Sequence, residues 1–185
     1  HKRLQRFHSR FFGASSVYGV GGEAGGTPDL IKAELHKQAY TPGGPGEEVG
    51  HEIYNLGIPG GTSSLLLERL KTELLPRQKK NRQLIALVSI GSNDAHDTDA
   101  QGAHAVDIAG YTQNLETIFA SLKEADAKII AYGLTPVDES KTTPIIGASS
   151  GAPKYFLNNR IKEFENMFTQ TAEAHGAATV PLFEQ

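Results

Sequence analysis

The sequence predicts an α/β protein built around a mostly parallel sheet. Short apolar runs of strand length alternate with longer segments whose apolar residues recur at helical spacing. The alternation repeats without a break in the order β-α-β-α-β-α-β-α-β, and helices between consecutive strands are the crossovers that parallel pairing requires. The clearest run, QLIALVSIG at 83–91, is apolar almost throughout, as in a strand covered on both faces.

Taken in order, the first strand is QRFHSRFF (5–12), the weakest of the set. His8, Ser9 and Arg10 sit in its middle, where a doubly covered strand should be apolar, so its span and burial stay open. TPDLIKAELHKQ (27–38) reads as a helix with Pro28 placed as an N1 proline, and HEIYNLG (51–57) as the second strand. SSLLLERLKTELLPRQ (63–78) sets Leu66, Leu70 and Leu74 at helical spacing, with Ser63 or Ser64 available as a cap. Gly91 ends the third strand. YTQNLETIFASLKEAD (111–126) repeats the helical pattern with Leu115, Ile118, Phe119 and Leu122, and AKIIAYGLTP (127–136) is the fourth strand. YFLNNRIKEFENMFTQTAEAHG (155–176) carries Leu157, Ile161, Phe164 and Phe168 and stops at Gly176; ATVPLF (178–183) is the fifth strand. The loops at 40–50 and 137–153 are rich in Gly, Pro, Ser and Thr, but the alternation continues on both sides of each. Neither is a linker, there is no internal repeat, and residues 1–185 read as a single domain.

Composition narrows the chemistry. With 18 basic and 21 acidic residues the formal charge is −3, and neither sign forms a long block, so a nucleic-acid partner is not expected. Lys79, Lys80 and Arg82 form the densest basic cluster, read as a helix C-terminal cap or a solvated loop. The absence of cysteine removes disulfides, thiolate metal sites and a cysteine nucleophile, and leaves the compartment open. No apolar run of signal-peptide length follows the basic N-terminus, and no segment approaches the ~20 residues of a membrane span. The expectation is a soluble chain, with the cytoplasm favoured.

In an open parallel sheet, ligands bind at the carboxyl ends of the strands. Three such ends carry polar or glycine-rich turns: GASSVYG after the first strand, NLGIPGGTSS after the second and GSNDA after the third. Ser15, at a strand-to-helix turn, has an exposed hydroxyl and amides aimed at the helix entrance, which suits a developing oxyanion. Gly60 can offer an unobstructed N–H to the same anion, and Asn93 a side-chain amide. Read singly, Gly60 is a turn glycine and Asn93 a turn former. In order at successive strand ends, the three form a more specific pattern.

On these residues the chain resembles the SGNH hydrolases, the GDSL esterase/lipase family. Gly13, Ser15 and Gly19 match the first block, Asn55, Gly57, Gly60, Thr62 and Ser63 the second, and Gly91, Asn93 and Asp94 the third. The resemblance implies a flavodoxin-like three-layer α/β/α sandwich with a five-stranded sheet. It further implies hydrolysis of a small-molecule acyl ester through an acyl-serine intermediate, without cofactor or metal. Ser15 would be the nucleophile, and its amide, the Gly60 amide and the Asn93 side chain would form the oxyanion hole. The chain departs from the pattern at Ala14 and Gly61, where the family has aspartate, usually at the first position and often at the second. No Asp-x-x-His, the block that supplies base and orienting carboxylate after the fifth strand, occurs within residues 1–185. The expectation is that the base lies outside these residues.

Among the histidines, His96 begins near the right sheet edge and His104 shares its loop; both are read as loop residues, and His175 as a helix-end residue. Three other readings compete with the esterase. One is a non-catalytic ligand-binding protein on the same fold. Another takes GVGGEAGG as a phosphate loop, but it begins several residues after the strand and lacks an acidic ribose partner. The third is a metal site at Asp94, His96, Asp97 and Asp99, for which a solvated acidic loop is the simpler account. Oligomeric state leaves no mark in the sequence.

Overall fold

The fold is seen in a computed structural model that describes residues 7–41, 44–45, 51–78, 80–148 and 150–184. Five strands form the central sheet: β1 (Phe7–Gly13), β2 (Glu52–Gly57), β3 (Gln83–Ser89), β4 (Lys128–Tyr132) and β5 (Ala178–Val180). All are parallel, in the spatial order β2-β1-β3-β4-β5. That is the flavodoxin-like order, whose direction of winding reverses between β1 and β3. The helices are α1 (Ser15–Tyr18), α2 (Thr27–Ala39), α3 (Ser63–Leu74), α4 (Ile108–Glu124), α5 (Glu139–Thr142) and α6 (Asn158–Ala174). Two-residue strand pairs lie in the loops, Tyr40–Thr41 with Gly44–Pro45 and Ile145–Ile146 with Pro153–Lys154. The rest of the 40–50 loop lies outside the described residues.

The apolar stripes of α3, α4 and α6 all land on one face of the sheet. Leu66 and Leu70, Leu115 and Phe119, and Ile161 and Phe164 share one buried cluster with Phe12, Val88 and Ala131. Each large side chain buried there stabilises by about 1.5–3 kcal/mol, against ~1 kcal/mol for a cap, so packing on the sheet decides where these helices lie. The other face takes α1 and α2. Gly13 alternates with Phe12, and a Cβ on Gly13 would meet Val17 of α1; Asn55 of β2 reaches Asp29 of α2 at 3.0 Å. Cover on this second face is thinner. Phe11 is buried, but Ile85, Leu87 and Ile130 are half-buried, so β3 alternates in burial where its apolar run predicts cover on both faces.

The polar centre of the first strand is buried, which the sequence left open. His8, Ser9 and Arg10 are 1, 6 and 0% exposed. Arg10 belongs there because its Nη1 donates to Leu74 O at 2.7 Å, in the last turn of α3, where carbonyls lack intrahelical partners and the helix dipole favours a cation. Element starts also shift. Thr62, not Ser63 or Ser64, caps α3, its hydroxyl accepting from Leu65 N at 3.4 Å. The first α4 residue is Ile108, behind an Asp107 cap that accepts from Gly110 N. The last long helix begins at Asn158, whose side chain instead clamps Val137, accepting from its N–H at 2.8 Å and donating to its carbonyl at 2.9 Å. In the basic cluster Arg82 pairs with Glu52 at 2.6 Å, and Lys79 lies outside the described residues. Among the described residues, no helix is long and apolar enough to cross a membrane.

Candidate active site

The register of the sheet brings three turns to one row. Gly13 at the end of β1 is paired with Gly57 on β2 and with Ser89 on β3, so the chain leaves the sheet at the same level in all three places. The β1 and β3 exits flank the point where winding reverses, and that is where an open α/β sheet has its crevice.

The first turn is held tightly. A Cβ on Gly13 would fall 2.3 Å from both Ser89 O and Val17 Cγ2, so no side chain fits. Ala14 O accepts from Tyr18 N at 3.0 Å, and Ser15 O from Gly19 N at 2.9 Å, closing a single helical turn that stops at left-handed Gly19. Ser15 opens this turn and is half-buried. Its N–H, like every first-turn amide, has no intrahelical acceptor.

The second turn hooks onto the first. Ile58 N donates to Gly13 O at 3.1 Å, and Gly61 N to Ile58 O at 2.9 Å. Gly60, between them, is exposed at φ +77 with open space where a Cβ would point, a backbone state that favours glycine. A Cβ on Gly61 would lie 3.8 Å from Ala14 Cα, so the two turns back onto each other. A cleft of about 470 Å³ opens beside Gly61, lined by Ile58 and by Leu65, Arg69 and Glu73 of α3.

The third turn closes the group. Tyr111 OH donates to Ile90 O at 2.8 Å, and Asn93, 8% exposed, donates from Nδ2 to Gly61 O at 3.0 Å. Asp94, fully buried, accepts from Ser63 N at 3.0 Å and from Ser63 Oγ at 2.5 Å, while Asn114 Nδ2 donates to Ser63 Oγ at 2.9 Å. The second and third turns are therefore joined twice. Burial raises the Asp94 pKa from its ordinary value, and the Ser63 hydrogen bonds oppose the shift.

His96 lies next to this group. Its Nδ1 is 2.6 Å from Asn93 O, and since a carbonyl can only accept, that nitrogen carries the proton. Burial lowers its pKa, which keeps the ring neutral. The reading of Asp94, His96, Asp97 and Asp99 as a solvated loop is corrected here. Asp94, His96 and Asp97 are 0, 9 and 3% exposed, and Asp97 accepts from His104 Nδ1 at 2.6 Å. Asp99 is half-buried and accepts from the backbone of Gln101 and Ala103. Internal partners take the place of water. Among the described residues no group of three or more His, Cys, Asp or Glu is arranged to hold a metal ion. His175, at the end of α6, meets Glu116 of α4 at 2.6 Å.

The turns bearing Ser15, Gly60 and Asn93 thus meet through Gly61. The sequence reading missed what braces them: Asn114, Tyr111 and Arg69. Asp94 beside Asn93 was the one available signal; Asn114 and Arg69 lie on helix faces that apolar spacing leaves unassigned, and Tyr111 reads as one more core residue.

A parallel sheet of this order, with a serine turn, a glycine turn and an asparagine turn meeting at its reversal point, is a doubly wound α/β fold. Residues 11–185 match the GDSL-like Lipase/Acylhydrolase family, and the chain belongs to that family. It is a carboxylic-ester hydrolase by that membership, which implies a small-molecule ester substrate. Solved structures share the fold. AlinE4, an SGNH-hydrolase family esterase, is 23% identical with a TM-score of 0.64, covering 97% of this chain and 78% of its own. Axe2, an acetylxylan esterase from Geobacillus stearothermophilus, is 17% identical with a TM-score of 0.64, covering 96% and 77%. EstA, a psychrotrophic esterase from Pseudoalteromonas sp. seen inhibited by monoethylphosphonate, is 17% identical with a TM-score of 0.61, covering 95% and 76%. No curated protein matches the sequence.

Proposed function

We propose that Ser15 is the nucleophile of this hydrolase, and that its own amide, the Gly60 amide and Asn93 Nδ2 hold the oxyanion. Ser15 Oγ bonds to the ester carbonyl carbon as its proton passes to a base, and the carbonyl oxygen becomes the oxyanion. Collapse expels the alcohol and leaves acyl-Ser15; water then attacks the acyl carbon and releases the carboxylic acid. The substrate is a small acyl ester.

One observation carries this reading: the hydrogen bond from Asn93 Nδ2 to Gly61 O. It uses one of the two amide protons and fixes the plane of the other, next to the glycine turn that backs Ala14. A donor fixed before the reaction is worth more than one that must be recruited, because no reorganisation accompanies the charge. The base is assigned to neither nearby histidine: among the described residues, the ring contacts are His96 Nδ1 with Asn93 O and His104 Nδ1 with Asp97, and neither ring hydrogen-bonds Ser15.

In the full-length protein, Ser15→Ala is expected to reduce p-nitrophenyl acetate hydrolysis to background. Asn93→Ala is expected to lower kcat by about 10²–10³ with a small change in KM, as for loss of one oxyanion donor. Hydrolysis that survives Ser15→Ala in full would refute the assignment.

A further inference from the structure

The serine turn, Gly13-Ala14-Ser15, carries no charged side chain of its own. What holds the turn is visible at its first residue. Gly13 O accepts from Ile58 N at 3.1 Å and from Arg69 Nη2 at 3.3 Å. Arg69 lies on α3, and its Nη1 contacts both carboxylate oxygens of Glu73, one helical turn on, at 2.7 and 2.6 Å. The Arg69 and Glu73 side chains are only 17 and 20% exposed. A guanidinium is a rigid planar fork, so fixing one nitrogen on a carboxylate aims the other. A charge-assisted hydrogen bond of this kind is roughly twice as strong as a neutral one.

We propose that Arg69, aimed by Glu73, is a positioning residue for the Ser15 turn. It acts through the Gly13 carbonyl. The peptide that ends in Gly13 O leads directly into Ala14 and Ser15, and any tilt of that peptide swings the Ser15 hydroxyl relative to Gly60 and Asn93. Arg69 also ties α3 to the end of β1, so the helix that begins just after the glycine turn is locked to the strand that delivers the serine. Its role in catalysis rests on Ser15 being the nucleophile.

The test compares the full-length wild type with Arg69→Met, Arg69→Lys, Glu73→Gln and Ser15→Ala. For each, kcat and KM on p-nitrophenyl acetate, the rate of fluorophosphonate labelling and the melting temperature are measured. Misplacement of a reacting group by about 1 Å can cost ~10² in rate, so Arg69→Met should lose about tenfold or more in both kcat and labelling rate with KM within about twofold. Arg69→Lys should recover part of the loss, and Glu73→Gln should show a smaller loss of the same kind at near-unchanged melting temperature. A wild-type labelling rate in folded Arg69→Met, or in Glu73→Gln should the first variant not fold, overturns the proposal while leaving Ser15 in place. Absence of a Ser15 adduct in the wild type overturns the nucleophile assignment and this role with it.

Discussion

Asn93 commits one amide proton to structure, and its neighbours commit theirs to keeping it still. Nδ2 holds Gly61 O, His96 Nδ1–H holds the Asn93 carbonyl, and Asp94 holds Ser63. This arrangement has a pH signature. Burial depresses the His96 pKa, so between that value and the ordinary one near 6.5 the unfolded chain binds a proton that the folded chain does not. The stability this residue contributes is complete above about pH 6.5 and is lost as pH falls through the folded value. Urea unfolding at pH 7.5 and 5.5 should show a larger drop in midpoint for wild type than for His96→Gln, and equal drops would contradict the assigned neutral ring. At this scale the sequence marked the residue types that carry the proposed chemistry: a serine on a turn, a glycine on an exposed turn, an asparagine at a strand end. It was silent on bracing. Asp94 and His96 look like any polar loop residues until the fold removes water from them, and Arg69 belongs to a helix face that periodicity leaves unassigned.

Elements are joined by the same device of a buried polar group meeting a backbone end. Arg10 on β1 meets the last turn of α3. Glu165 on α6, 3% exposed, accepts from Leu134 N just beyond β4, and burial raises its pKa. Gly133 makes room for it, since a Cβ there would fall 2.1 Å from Glu165 Oε1. Gly133→Ala should therefore displace the carboxylate and leave a buried N–H without its acceptor, costing about 1–3 kcal/mol in chemical denaturation. Glu165→Gln, which keeps an acceptor oxygen and the shape, should cost less; the reverse order would contradict the clamp. Periodicity located α3, α4 and α6 because apolar spacing reports the face that packs, and the α2 segment was marked by Pro28. It misplaced the starts of α4 and α6: Asp107 is a local cap that lies ahead of the apolar stripe, and Asn158 answers to Val137, 21 residues earlier. The first strand stayed open for the same reason: Arg10 is buried by a helix carbonyl 64 residues away, which no local pattern contains.

At the scale of the molecule, the order β2-β1-β3-β4-β5 brings three separated motifs to one sheet edge. Gly13, Gly57 and Ser89 share a row, so the turns leaving these three strands converge without a long loop. The alternating helices and strands made this sheet legible, and the block order of the motifs indicated which ends matter. Coverage of the second face was overread from β3, whose Ile85 and Leu87 are half-buried. The central claim is that the convergence makes Ser15 a nucleophile in front of a fixed oxyanion hole. Its most direct test is the intact mass of the full-length protein after fluorophosphonate treatment, with peptide mapping of the adduct. The account predicts a single adduct on Ser15, absent in Ser15→Ala and formed about 10²-fold more slowly in Asn93→Ala. An adduct on another residue, or one that persists in Ser15→Ala, would contradict it.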